Sequence, residues 1–177
     1  MMTMKNARAF TLLETLIALS ILIFALIGPL YSASRSIVAA QNARHQLTAS
    51  YLAQEGVEYI RMMRDNEYLL VSSGNDATNI AWSNFLTTIG PCRTAVCTLD
   101  SHVSPPSVGT SLKLCTGTCE PLHLVGGLYT QQSGGETQPY TRTVQIVDVP
   151  GIADSPNTYR DKRIESKVSW DFHGTLY

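Results

Sequence analysis

The stretch KNARAFTLLETLIALSILIFALIGPL, Lys5 to Leu30, decides how the rest of the chain is read. Lys5 and Arg8 precede an apolar run in which, from Phe10 to Ser34, the only charge is Glu14. As a helix that span is about 37 Å long, enough to cross a bilayer core of about 30 Å. The basic residues ahead of it keep the start of the chain on the cytoplasmic side. An ionisable side chain inside such a span is costly and usually marks function. A secretory signal, with Ser32-Ala33-Ser34 as its small-residue cleavage region, and a plain uncleaved anchor both fit the apolar run. Neither gives Glu14 a task.

The helical pattern does not stop at the end of the apolar run. From Tyr31 to Arg64 there is no proline and a single glycine, Gly56, and good helix formers dominate. Ile37, Ala40, Leu47, Leu52, Tyr59, Ile60 and Met63 recur at helical spacing and read as one apolar stripe. Gln46, Gln54, Glu55, Glu58 and Arg61 fall largely elsewhere around the axis. Asp65-Asn66 reads as the helix end. One helix from Phe10 to Arg64 would be about 80 Å long. Half of it must pack on lipid or on other subunits, because a 177-residue chain has no head large enough to bury it.

The leader, Ala9-Phe10-Thr11-Leu12-Leu13-Glu14, and the apolar helix with Pro29 together resemble the N-terminal signal of type IV pilins and pseudopilins. The resemblance implies that a prepilin peptidase cuts between Ala9 and Phe10 and methylates the new amine; the family prefers glycine where this chain has Ala9. It implies that Glu14 pairs, during assembly, with the methylated amine of a neighbouring subunit. It also implies that the helix bends or loosens at Gly28-Pro29, where proline cannot donate to the Ala25 carbonyl. YLAQEGVEYIRMMRDN, Tyr51 to Asn66, is similar to the later helix half of minor pilins of the pilus-modification type. The phrases YTRTV and VSW recur in the heads of those proteins; the middle third matches weakly.

The organisation expected is a cytoplasmic leader over 1–9, a transmembrane and assembly helix over 10–34, an amphipathic continuation over 35–66, and a β-rich extracytoplasmic head over 67–177. The fold class is α+β, a long N-terminal helix packed against an antiparallel sheet. Ser72 to Asp76 reads as a loop, and Trp82 to Leu86 as a short element whose Trp82, Phe85 and Leu86 enter the core. Pro91 to Cys119 reads as loop, punctuated by Pro105-Pro106 and Gly109. Thr141 to Val149 and Lys162 to Phe172 alternate as neighbouring antiparallel strands. Val144 and Ile146 share one face of the first; Ile164, Val168, Trp170 and Phe172 face inward on the second. Pro150-Gly151 and Ala153 to Asn157 connect the two strands, and Thr175 to Tyr177, after a turn at His173-Gly174, reads as a last strand.

Four cysteines lie in two close pairs, Cys92/Cys97 and Cys115/Cys119. Export to an oxidising space favours local disulfides within each pair, although four cysteines allow three connectivities. A zinc site using all four thiolates is the alternative, the gaps being near those of zinc ribbons.

The net charge is −1, and loss of Lys5 and Arg8 with the leader leaves 11 basic and 14 acidic residues. That balance argues against broad nucleic-acid binding, which needs a clustered basic surface. There is no nucleophile elbow, phosphate loop or His-Glu-x-x-His motif. His45, His102, His123 and His173 are scattered and read as surface or loop residues. The chain is therefore expected to be no enzyme and to need neither cofactor nor metal. Its implied partners are other pilin or pseudopilin subunits, the prepilin peptidase, the assembly platform and the inner membrane, with assembled copies at the cell surface. The competing class is an exported or anchored domain, enzyme or binding module, outside any filament.

Overall fold

In a computed structural model of the chain, the residues described are 11–71, 77–103, 110–149, 161–172 and 174–177. The leader, Phe10, the Ser72–Asp76 loop, Pro105-Pro106 with Gly109, the connection 150–160 and His173 lie outside them. The architecture is α+β: a long N-terminal apolar helix and a C-terminal antiparallel sheet. The chain divides into two compact units, residues 1–44 and 45–177.

Helix α1 spans Leu12–Leu70 and contributes to both units. In the first unit its apolar side chains are exposed, Leu12 at 86% and Phe24 at 76%. This helix is long and apolar enough to cross a membrane. Its C-terminal end is six residues beyond Arg64 and past the end read at Asp65-Asn66. Glu67-Tyr68-Leu69-Leu70 contains no breaker, and exposed Arg61–Glu58 and Arg64–Asp65 ion pairs lie before and at the expected stop. The apolar stripe also needs correction. Ile37 and Leu47 are 60% and 61% exposed and Ala40 is exposed, whereas Ala49, Leu52, Gly56, Tyr59, Ile60 and Met63 are the buried positions. Helical spacing finds a face, but only the sheet beneath decides which part of that face is covered.

In the second unit, helix α2, Ala77–Thr88, places Phe85 in the core, with Trp82 and Leu86 packed against it. Helix α3 is the short turn Pro91–Thr94. The segment read as loop from Pro91 to Cys119 also carries strands β1, Cys97–Leu99, and β2, Leu112–Leu114. Their three residues each are too few to show alternation; their pairing, β2 on β1 and β1 on β6, comes from distant sequence. Strands β3, His123–Val125, β4, Leu128–Thr130, and β5, Glu136–Thr137, form a separate antiparallel sheet in the order β4-β3-β5.

The long strands β6, Tyr140–Asp148, and β7, Lys162–Phe172, pair antiparallel from Tyr140↔Trp170 to Asp148↔Lys162. With the two-residue β8, Thr175–Leu176, they complete a sheet ordered β2-β1-β6-β7-β8. Along β6, Tyr140, Arg142, Val144 and Ile146 all point inward. One core cluster joins Tyr59, Ile60 and Met63 of α1 to Phe85, Leu99, Val144 and Ile146. A second joins Ala49 and Leu52 to Leu122, Tyr140 and Trp170.

Gly56 sets how closely α1 approaches the sheet. A Cβ there would stand 2.5 Å from Ser166 Oγ and 3.5 Å from a Val144 methyl. A serine hydroxyl can swing aside, so Gly56→Ala is expected to be nearly neutral, offset by its roughly 1 kcal/mol gain in helix propensity. Gly56→Leu must displace β7 backbone and is expected to cost about 3 kcal/mol. Urea unfolding of the two variants checks this, and equal stabilities would refute the close contact.

Candidate functional site

At the start of α1, Thr11 Oγ1 accepts a hydrogen bond from the Glu14 backbone N–H at 3.3 Å, and the Thr11 carbonyl accepts from Thr15 N–H at 3.2 Å. Threonine followed three residues later by glutamate is the sequence form of a capping box, and an acid in the first turn suits the positive end of the helix dipole. These local terms account for Glu14 standing at a helix start. They do not account for a carboxylate in an apolar span.

Three hydroxyls of the span are satisfied within the helix. Thr15 and Ser20 hydroxyls donate to the Leu12 and Ile17 carbonyls at 2.9 and 2.8 Å, and Ser34 donates to Leu30 at 3.0 Å. A hydroxyl bonded to its own helix tolerates hydrocarbon, where an unsatisfied polar group costs several kcal/mol. The Glu14 carboxylate is exposed and has no side-chain partner among the described residues. It is the one charged group between Phe10 and Ser34. Helix α1 continues through Gly28 and Pro29. A Cβ at Gly28 would meet nothing within 4 Å, so packing within one copy does not demand glycine there.

Ala9 and Phe10, the residues read as the processing site, lie outside the described residues. The four cysteines form two disulfides, Cys92–Cys97 and Cys115–Cys119. The first is fully buried in the core between α3 and β1, and the second closes a partly exposed loop after β2.

Sequence reasoning passed over a polar cluster that fastens α1 to the sheet in the second unit. Arg142 is fully buried on β6. Its Nη1 donates to Glu55 Oε2 at 2.7 Å and to the Leu52 carbonyl at 3.4 Å; its Nη2 donates to the Leu99 carbonyl at 2.9 Å and Ser101 Oγ at 3.2 Å. Ser101 Oγ in turn donates to Glu55 Oε1 at 2.5 Å. Buried Asp100 accepts from Thr130 Oγ1 at 2.8 Å and His102 N–H at 3.1 Å. Desolvation pulls the Arg142 pKa down, against the opposing attraction of Glu55 and Asp100. Burial also raises the Tyr59 phenol above its usual range; its hydroxyl donates to the Val103 carbonyl at 2.6 Å. The signal was present in the strand pattern: Arg142 has the same parity as Val144 and Ile146, which puts a cation on the inward face. His45 was also misjudged as a surface or loop residue. It is part-buried on α1, its Nδ1 2.7 Å from the Tyr140 hydroxyl and its ring against Phe172.

These clusters hold the head together but contain no arrangement that activates a nucleophile or a water. The chemistry of the N-terminal segment is of another kind, a single carboxylate in an apolar span. Residues 4–28 match the family model for the prokaryotic N-terminal methylation motif. No curated protein and no solved structure matches the chain. The matched residues include Ala9, Phe10, Glu14 and Gly28, and 17 of them lie on α1.

Proposed function

We propose that this chain, a type IV pilin-like protein of the kind a prepilin peptidase processes, is a minor pilin or pseudopilin with no enzymatic activity of its own. One observation carries the reading: 17 residues of the methylation motif lie on the apolar part of α1, whose one carboxylate, Glu14, has no side-chain partner among the described residues. Removal of the leader creates an amine at Phe10, four residues before Glu14. On a neighbouring copy that amine supplies the missing cation, and the desolvation cost of the carboxylate falls only when the two helices are staggered to bring them together. The pair therefore selects a register between subunits. The head, stapled by its disulfides, is delivered outside the inner membrane and serves in priming, at the tip or in modifying a pilus or secretion pseudopilus.

Intact-mass and N-terminal fragment spectrometry of the membrane-extracted protein tests this. The expected species begins at Phe10 and carries one added methyl group on its amine. A species beginning near Arg35 would mean signal-peptidase processing, loss of Glu14 and an exported domain outside any filament.

A further inference from the structure

The apolar stretch is longer than a membrane needs. From Leu12 to Ala40 the charges are Glu14 and Arg35 alone, and 29 helical residues extend about 43 Å against a hydrocarbon core of about 30 Å. Ile37, Val38, Ala39 and Ala40 follow Arg35 and are as acceptable to lipid as the residues before it. Composition alone therefore leaves the depth of the helix undetermined by several residues on the outer side.

Tyr31 and Arg35 supply the missing boundary. One turn apart on the same face of α1, they are joined: Arg35 Nη2 and Nε donate to the Tyr31 hydroxyl at 2.6 and 3.0 Å, and the guanidinium carbon stands 5.1 Å from the ring centroid. Tyr31 is 60% exposed, and Arg35 has no carboxylate partner among the described residues. A phenol with its apolar ring and polar tip suits the membrane interface. A guanidinium held beside it by two hydrogen bonds keeps its remaining N–H donors free, in the planar geometry that matches a phosphate. The spacing agrees as well: Thr11 to Tyr31 is about 30 Å of helix, one hydrocarbon thickness. With Tyr31 at the outer interface, the helix start lies at the inner one.

We infer that Tyr31 and Arg35 form a lipid-headgroup anchor, binding the phosphate of an outer-leaflet phospholipid and fixing the depth of the unassembled subunit. This rests on the reading of α1 as membrane-spanning. It also deepens the role given to Glu14. Tyr31 lies about 25 Å along the helix from Glu14, so the anchor holds the carboxylate just inside the inner boundary, within reach of an amine at the membrane surface. Without it the helix is free to slide toward the cytoplasm, drawing Ile37 to Ala40 into lipid.

The test uses the full chain in phosphatidylethanolamine–phosphatidylglycerol vesicles. All four native cysteines are in disulfides, so Val38→Cys adds the one reactive thiol. With Arg35 present this thiol is expected to react readily with a polar maleimide; with Arg35→Leu it is expected to react at least about ten-fold more slowly, as residue 38 moves into hydrocarbon. Arg35→Lys should retain most of the reactivity. Arginines carrying a ¹³C guanidinium label should show dephasing by lipid ³¹P in solid-state NMR, and the part lost in Arg35→Leu isolates this one side chain. Unchanged thiol reactivity, or dephasing identical in the two proteins, overturns the anchor, leaving Tyr31–Arg35 as a local helix pair. Release of the wild-type chain by alkaline carbonate would instead overturn the membrane-spanning reading, and the anchor with it.

Discussion

Replacing Glu14 by alanine is expected to leave the protein processed and in the membrane but to reduce its share in filaments by at least about a hundred-fold. The size follows from the pair. Breaking a buried ion pair by removing one partner costs about 3–5 kcal/mol, and about 1.4 kcal/mol is a factor of ten. The direction of the control matters more than the size. In a lone subunit the carboxylate has no side-chain partner among the described residues, so its removal makes residence in lipid easier, not harder. A loss of incorporation therefore cannot be assigned to failed insertion. Glu14→Gln tests whether charge or hydrogen bonding sets the register: the amide keeps the reach and part of the hydrogen bonding, and should recover little if attraction to an ammonium group is what counts. Immunoblots of sheared filaments against the membrane pool give the measurement. Mutant and wild type present in equal proportion in the filament fraction would remove the basis of the register argument.

The two features that support that experiment differ in how far they can be read from one chain. Glu14 is legible because it is isolated: one charge in a stretch of 25 residues from Phe10 to Ser34 needs no structure to be noticed. What it binds is not legible, since the partner proposed for it is an amine of another copy. The long helix and the β6–β7 pair are legible for a related reason. Their periods, 3.6 and 2, are local properties of the sequence, and β6–β7 pairs over nine residues with alternating burial. The strands β1 to β5 are two or three residues long. They are strands because β6, or one another, lies alongside, and that is a property of the tertiary structure. The same holds for the covered part of α1, where Leu47 and Leu52 carry the same side chain and only Leu52 is buried.

The burial of Arg142 follows from its parity with Val144 and Ile146 on β6. A charge on the inward face of a strand either belongs to a site or fastens something. Here it fastens α1 to the sheet, through Glu55 and the Leu52 carbonyl on one side and the Leu99 carbonyl on the other. Its pairing explains why Glu55, counted among the polar residues outside the stripe, is partly buried with its side chain 37% exposed.

That difference in exposure makes the two ends of the pair unequal, and a double-mutant cycle should show it. In Glu55→Ala the guanidinium of Arg142, with 0% of its side chain exposed, loses its nearest counter-charge. Asp100 remains as a more distant attraction, and the expected loss is about 3–5 kcal/mol. In Arg142→Met the carboxylate left behind reaches solvent, and an unbranched apolar chain takes the place of the arginine stem. The carbonyls of Leu52 and Leu99 lose a donor, so the expected loss is about 1–3 kcal/mol, smaller than that of Glu55→Ala. Adding Arg142→Met to Glu55→Ala removes the stranded cation and should recover stability, a coupling of the sign and size found for contacting residues. Urea unfolding of the full-length protein in detergent, followed by Trp82 and Trp170 fluorescence, supplies the four values. If Arg142→Met is the more damaging single change, or if the double mutant is simply additive, the cation is held by its carbonyls and Glu55 is incidental. The recovery has a functional consequence: helix and head are fastened at Glu55, 41 residues along the chain from Glu14, so a head that unfolds in Glu55→Ala should still leave the assembly helix inserted.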